Sequence, residues 1–428
     1  MTARDAALRA LLACRKDGAW SDGALKQLLT GMDPREAALA SRLCYAVLQN
    51  RLLLDHWLRP CVRGKLQPAV EEILRLAVCQ LTFFDKIPPS AAVNEAVEQA
   101  KRFANPAAAR LVNGVLRSFL RAGKPELPDD LSLRYSHPPE LTALLQAQFG
   151  DKTERLLQSH NEAPATVLQV NTLLATTPQV ECALTEAGAD WQRHPWLPDC
   201  LTVRGAGDLE QLEAFQNGWC YVQDAAARLA VWAAGLQPGM RVLDCCAAPG
   251  GKSFAAAIAM RNKGSVLSCD IHPHKLRLIE RGAERLALEC ITTQLQNAAE
   301  PVAEWNGAFD AVICDAPCSG LGVIRKKPDI RYKDLAQTER LPALQTLLLD
   351  NQAQYVRPGG VLLYSTCTIL RRENEAVVEA FLQQHPEFLP EQAVYPAGSG
   401  LESAAMTTLL PCDHGTDGFF IAKLRKKG

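Results

Sequence analysis

The chain has 428 residues, 48% of them hydrophobic, and a formal net charge of −1. That is enough for roughly two or three domains, each with its own core. The charge excludes a polycation, so any nucleic-acid contact must come from local basic patches. Fifteen cysteines without a C-x-x-C pair exclude a disulfide frame and read as reduced, mostly buried thiols. Arg4, Asp5 and Arg9 spoil the N-terminus as a secretory signal, and no apolar run is long enough to span a bilayer. A soluble, cytoplasmic protein is expected, with no membrane partner.

Residues 1–122 read as all-helical. Apolar residues recur at helical spacing in Ala37–Leu54, Val70–Phe83 and Ala91–Phe103. Pro88-Pro89-Ser90 is a helix-start signal with Ser90 as the expected cap. A last helix, Ala107–Arg121, should end near Gly123. Pro125, Pro128, Pro138 and Pro139 make 123–140 a linker. Residues 123–222 as a whole read as this linker plus a small α+β module, with helices at Glu140–Phe149 and near Gln179–Ala187 and strands at Thr166–Val170 and Cys200–Val203.

From 223 to 428 strands and helices alternate. The expected strands are Arg241–Cys245, Ser265–Cys269, Ala311–Cys314 and Gly360–Tyr364. The expected helices lie near Ser253–Arg261, Pro273–Leu286, Leu341–Val356 and Glu373–Gln384. Such alternation implies a doubly wound, mainly parallel α/β sheet of Rossmann type.

Three stretches carry chemistry. Val242 to Ser253 is a strand, a tight turn through Cys246-Ala247-Ala248-Pro249-Gly250-Gly251-Lys252, and a helix start. Glycines there let backbone approach a ligand, and the helix N–H groups favour an anionic or polar one. Asp270 ends the next strand, where an acid accepts hydrogen bonds from a ribose diol. An adenosine-type cofactor follows. A P-loop is rejected because Cys246 stands where its first glycine should be, and the G-x-G-x-x-G dinucleotide fingerprint is absent. The other two stretches are Asp315-Ala316-Pro317-Cys318-Ser319-Gly320 and Tyr364-Ser365-Thr366-Cys367. Each puts a thiol just past a buried strand, at the rim where open α/β sheets bind ligands. Two thiols there suggest covalent chemistry. Cys269, His272 and His274 do not make a zinc spacing, and no metal is expected.

Together, in this order and spacing, the three motifs resemble the RNA cytosine-C5 methyltransferases of the NOL1/NOP2/Sun family, which use S-adenosylmethionine. Lys326-Lys327-Pro328-Asp329-Ile330-Arg331, Gln223-Asp224 and Asp417-Gly418-Phe419-Phe420 resemble that family too. Ile87 through Ala96 and Leu111 through Arg117 look like a NusB-type helical RNA-binding domain, and Tyr135-Ser136-His137-Pro138-Pro139 resembles the junction after it. The layout resembles the bacterial small-subunit ribosomal RNA branch of the family. It implies 16S ribosomal RNA as partner and S-adenosyl-L-methionine as cofactor; a monomer is the default expectation. The resemblance makes Cys367 the nucleophile at carbon 6 of cytosine and Cys318 the residue that assists release. Asp315 would bond the base's N3/N4 edge, with Lys252 orienting it. The cofactor would lie on Cys246, Ala247, Ala248, Pro249, Gly250, Gly251, Lys252, Asp270, Asn297 and Asp315. Asn297 stands where the family usually has an acid, and Gln169 where it commonly has an arginine.

Both cysteines need depressed pKa values or nearby cations, and Arg325, Lys326 and Lys327 are candidates. Arg325, Lys326, Lys327, Arg331 and Lys333 read as a basic loop for phosphate, joined by Arg110 and Arg117. Two rival readings are a transfer-RNA methyltransferase of the same family and a non-catalytic RNA-binding or antitermination factor built on residues 1–122.

Overall fold

A computed structural model describes all residues except 18, 19, 124 and 206. Lys124, within the expected linker, is therefore outside the described residues. The chain folds as two compact units. One is Met1–Glu162 with Ile324–Lys333, and the other is Ala163–Val323 with Asp334–Gly428.

The first unit is helical around a core that includes Leu8, Leu43, Leu54, Ile73, Leu74 and Leu116. The helices Pro68–Phe83, Pro89–Phe103 and Pro106–Ala122 fall where the apolar spacing put them. Ala37–Leu54 is not one helix. It breaks at Asn50 between Pro34–Gln49 and Arg51–Leu58, and the Asn50 side chain caps the first of these by donating to the Ala46 carbonyl at 2.9 Å. Ser90 is no cap either. Pro89 already occupies the first helical position, where its fixed φ is pre-set, and Pro88 precedes it. Gly123, at φ +85°, ends the last of the three helices. The proline-rich stretch contains a short helix, Leu131–Arg134, and is stitched down: Trp57 Nε1 donates to the Glu126 carbonyl at 2.9 Å and Arg134 Nε to that of Pro128 at 2.7 Å.

Ile324–Lys333 is the part of this unit that arrives from far along the chain. Arg331, expected on a phosphate-binding loop, is instead 1% exposed. Its guanidinium donates to the carbonyls of Gln49 (2.8 Å), Tyr135 (3.3 Å), Ser136 (3.3 Å) and His160 (3.4 Å), and to Asn161 Oδ1 (3.0 Å). Tyr332 adds a hydrogen bond to the Leu48 carbonyl at 2.8 Å. Burial pulls the Arg331 pKa down to about 10, still charged near neutrality. Its fork of donors suits a cluster of carbonyls. Lys327 pairs with Asp22 at 3.4 Å and Lys333 lies over the Trp20 ring at 4.8 Å. Arg331 is therefore a structural residue and not a phosphate ligand. Arg331→Ala should destabilise this unit by about 3 kcal/mol, because several buried carbonyls lose their donor at once. Urea unfolding followed by Trp57 fluorescence checks it.

The second unit contains two sheets. β1 (Thr166–Val170), β2 (Asp190–Arg193), β3 (Cys200–Arg204) and β4 (Cys220–Val222) form an antiparallel sheet in the order β2-β3-β1-β4. The helix Thr177–Glu186 supplies the buried Val180 and Leu184 to its core. Gln169 on β1 does not face RNA. It is buried and donates to Cys200 Sγ at 3.3 Å and to the Gln223 carbonyl at 3.1 Å.

The large sheet holds β5 (Arg241–Asp244), β6 (Ser265–Asp270), β7 (Ile291–Leu295), β8 (Phe309–Asp315), β9 (Val356–Thr366), β10 (Phe388–Pro390), β11 (Met406–Leu409) and β12 (Phe419–Lys426). Its order is β10-β12-β9-β8-β5-β6-β7, with β11 on β12. β5 to β9 are parallel neighbours, and β10 to β12 pair antiparallel. The helices Gly251–Ala259, Pro273–Arg285, Leu341–Tyr355 and Glu375–Gln384 alternate with the parallel strands as expected. No helix among the described residues is long and apolar enough to cross a membrane.

Candidate active site

In a doubly wound sheet, ligands bind beyond the carboxyl ends of the strands where the winding reverses. After β5 the chain winds through β6 and β7 on one side. It then returns to lay β8 and β9 on the other. The switch point is thus between β5 and β8, whose last residues are Asp244 and Asp315. A cavity of about 450 Å³ opens there, and its lining includes Cys246, Ala248, Asp270, Asn297, Asp315, Cys318 and Cys367. Residues from the three sequence motifs therefore meet at one opening.

The turn after β5 is fixed by its own backbone. Ala247 N–H donates to the Cys269 carbonyl at 2.8 Å, and Gly250 N–H to that of Ala247 at 2.7 Å. Gly250 sits at φ +111°, and a Cβ there would lie 2.5 Å from the Phe254 ring, so only glycine fits. Pro249 follows a cis bond, and Gly251 opens the next helix. Below the turn, Ser268 Oγ bonds Ser253 Oγ at 2.8 Å, which donates to Asp244 Oδ2 at 2.7 Å. Burial pushes the Asp244 carboxyl up to about 7, against the pull of that Ser253 bond.

Asp270, at the end of β6, is nearly buried and accepts from the His272 N–H at 2.9 Å. Asn297 is held in the wall by its own turn, accepting from Ala299 N–H at 3.1 Å and donating to Glu300 at 3.0 Å.

Lys252, in the first turn of its helix, reaches Asp315 Oδ2 at 2.6 Å, and Ser365 Oγ donates to Asp315 Oδ1 at 2.7 Å. Ser365 is the register partner of Asp315 on β9, so neighbouring strands present the pair side by side. Burial alone would pull the Lys252 pKa down. The Asp315 carboxylate outweighs it, and the net shift is upward.

Cys318 and Cys367 are half-buried with their sulfurs 3.2 Å apart. The two thiols are driven in opposite directions. The Cys318 hydrogen bond pulls the Cys367 pKa below its ordinary value, helped by Lys252 against burial and Asp315. Cys318 is pushed well up by the same bond and by burial. On these directions Cys367 is the thiol that ionises more readily of the two. The cation that favours the Cys367 thiolate is Lys252, where the sequence offered Arg325, Lys326 and Lys327. Iodoacetamide should consequently label Cys367 at lower pH than the other half-buried thiols, because a depressed pKa leaves more thiolate as pH falls. Peptide mapping of labelled protein between pH 6 and 9 reads this.

Comparison with known proteins fits this geometry. Residues 232–425 match the family described as 16S rRNA methyltransferase RsmB/F, residues 1–121 the NusB family, and residues 137–210 a ferredoxin-like domain of RsmF/B-like methyltransferases. The chain is 37% identical to the probable ribosomal RNA small subunit methyltransferase B of Bacillus subtilis, over 99% of both chains. The chain belongs to the RsmB/F methyltransferase family. Its relative of the same name in Xanthomonas campestris is 33% identical over 100% of this chain and 97% of that protein. Among solved structures, PH0851 is 26% identical with a TM-score of 0.82 over 98% of each chain. A methyltransferase homologue from Pyrococcus horikoshii is 28% identical with a TM-score of 0.60, covering 69% of this chain and 98% of that one. The expected layout of NusB-like helices, a small α+β module and a C-terminal methyltransferase domain is the family's, the module being matched as a ferredoxin-like domain.

Sequence reading missed the groups that hold the reacting ones. Ser365 carried a signal, since two aligned strand ends place it beside Asp315. Gln345 and Glu373, which grip the Cys318 loop, carried none. Both lie in segments read only as helix.

Proposed function

We propose that the protein transfers a methyl group from S-adenosyl-L-methionine to carbon 5 of a cytosine in 16S ribosomal RNA, through a transient bond between Cys367 Sγ and carbon 6. The observation that carries this reading is the pair of sulfurs 3.2 Å apart, oppositely shifted, beside a Lys252–Asp315 pair on the same rim.

The residues fit an adenosyl group. The cavity's volume of about 450 Å³ suits a nucleoside-sized ligand. Asp270 offers a carboxylate to a ribose diol, and the turn 246–251 brings backbone and a helix N-terminus to the opening. Asn297 offers an amide where a carboxylate was the family expectation. When bound, the cofactor supplies an electrophilic sulfonium methyl.

The chain's own residues do the rest. Carbon 5 of cytosine is a poor nucleophile, and addition of the Cys367 thiolate to carbon 6 makes it enamine-like. Asp315, clamped by Lys252 and Ser365, bonds the N3/N4 edge, where a proton taken up from solvent at N3 stabilises the adduct and is returned when the base is released. After methylation the carbon 5 proton passes to solvent, the C5=C6 bond re-forms and the Cys367 sulfur leaves as thiolate. The Cys318 S–H, donating to that sulfur, stabilises it as it departs.

A cytosine within a duplex cannot reach this rim, so the target is unpaired or extruded. We further propose 1–122 as an RNA-binding domain, 123–222 as linker and small RNA-binding module, and 223–428 as the catalytic domain, acting as a monomer in the cytoplasm. Arg110 and Arg117 are exposed on the helix Pro106–Ala122 and suit phosphate contacts. The test is transfer of radiolabelled methyl to unmodified 16S RNA, with nuclease digestion and mapping. Label in 5-methylcytosine at one site supports the reading. Label on another atom, or only on transfer RNA, overturns it.

A further inference from the structure

Two short loops carry the sulfurs, and one buried side chain ties them together. Glu373 is 0% exposed. It lies in the turn Arg371–Glu373, a few residues beyond Cys367. Its Oε2 accepts from the Ser319 backbone N–H at 2.9 Å and from Gln345 Nε2 at 3.0 Å. Ser319 directly follows Cys318. Gln345, fully buried on the helix Leu341–Tyr355, also donates to the Pro317 carbonyl at 3.0 Å, so both neighbours of Cys318 are held through this carboxylate. The residue after Glu373 does the same for the other thiol. Asn374 accepts from Thr366 Oγ1 at 2.6 Å and donates to the Thr368 carbonyl at 3.0 Å, bracketing Cys367. Ser319 Oγ and Thr368 Oγ1, 2.7 Å apart, close the link between the loops. A fully buried carboxylate with Oε1 lacking any hydrogen-bond partner among the described residues is costly. A loop that needed only anchoring would be served as well by a neutral acceptor.

We infer that Glu373 is a positioning residue that acts through the Ser319 amide to hold Cys318 against Cys367, and so governs release of the methylated base rather than attack on it. The inference rests on the covalent reading above. Attack requires the Cys367 thiolate, which Lys252 also favours. Departure is different. The C6–Sγ bond breaks, its electron pair goes to Cys367 Sγ, the carbon 5 proton goes to water, and the leaving sulfur needs the Cys318 S–H aimed at it. The carboxylate also bears on which sulfur keeps the proton. A negative charge beside Cys318 disfavours a second anion there, and Glu373 is among the groups that push the Cys318 thiol upward.

The experiment is a single-turnover assay with radiolabelled S-adenosylmethionine and unmodified 16S RNA. It follows methyl incorporation and, on denaturing gels, the slow-migrating protein–RNA adduct. Glu373→Gln keeps an acceptor for Ser319 and removes the charge. First-turnover methylation should stay within about threefold of the parent, while adduct decay slows at least tenfold and adduct accumulates. Gln345→Met, which removes the bond to Pro317 and one of the two donors on Glu373 while leaving the Ser319 bond, should slow decay severalfold, and it carries the test alone if Glu373→Gln does not fold. Adduct decay unchanged in a folded variant, or methylation lost together with the adduct, overturns the inference. Cys318→Ala and Cys367→Ala run alongside separate the two levels. Adduct in the first and none in the second leaves the covalent reading standing whatever Glu373 does. No adduct in either, with the parent active, removes the reading itself.

Discussion

Cys367→Ala is expected to abolish methylation of the RNA, by at least about 10⁴-fold in single turnover, because in the proposed mechanism its thiolate is what makes carbon 5 nucleophilic. The same variant should bind S-adenosylmethionine within a few-fold of the parent, since the turn 246–251 and Asp270 do not depend on that sulfur. Calorimetric titration and filter-bound methyl counts check the two halves. Cys367→Ser should be nearly as inactive. A serine hydroxyl beside Lys252 is far from ionising near neutral pH, whereas the thiol at this position is already pulled below its ordinary pKa. Undiminished turnover in either variant would assign the chemistry to a different atom.

Cys318→Ala is expected to stop turnover in the opposite way. Attack and methyl transfer need the Cys367 thiolate, which Lys252 still favours after the Cys318 bond is lost, so they slow but continue, while the departing sulfur loses the thiol that stands 3.2 Å from it. The protein should therefore accumulate bonded to RNA, visible as a band of retarded mobility that resists denaturant and disappears on RNase treatment. Steady-state turnover should fall by about 10²-fold or more, the usual scale for removal of one positioned proton donor. A variant that turns over freely without adduct would deny Cys318 a part in release.

Much of this was legible in the residues. The helices Pro89–Phe103 and Pro106–Ala122 showed their periods openly, because each buries one face. The parallel strands β5, β6, β8 and β9 showed as short apolar runs. The antiparallel additions β10 to β12 did not. Leu389 and Pro390 give β10 too little burial to pattern, and β12 alternates weakly because most of Phe419–Lys426 is buried on both faces. In the site, most residues proposed to meet the ligand stand in compact motifs, whereas the side chains that hold the Cys318 loop are scattered. Gln345 and Glu373 meet only after folding, so spacing could not reveal them, whereas Ser365 stood within the motif that carries Cys367. Arg331 is the reverse case. Its position among basic residues pointed to phosphate, yet the fold spends its charge on carbonyls in the core of the first unit. Burial, the deciding quantity, is not local in sequence.

The excursion of Ile324–Lys333 bears on how such proteins can be cut and recombined. The amino-terminal unit is completed by ten residues, 324–333, encoded deep inside the catalytic half. Removing residues 1–162 would leave a guanidinium and a tyrosine with no socket, and the remaining half would expose that strip to solvent and to its neighbours. Transplanting the first third from a distant relative should fail for the same reason unless the matching decapeptide travels with it. Inheritance of the two halves as one piece is thus written into the path of the chain.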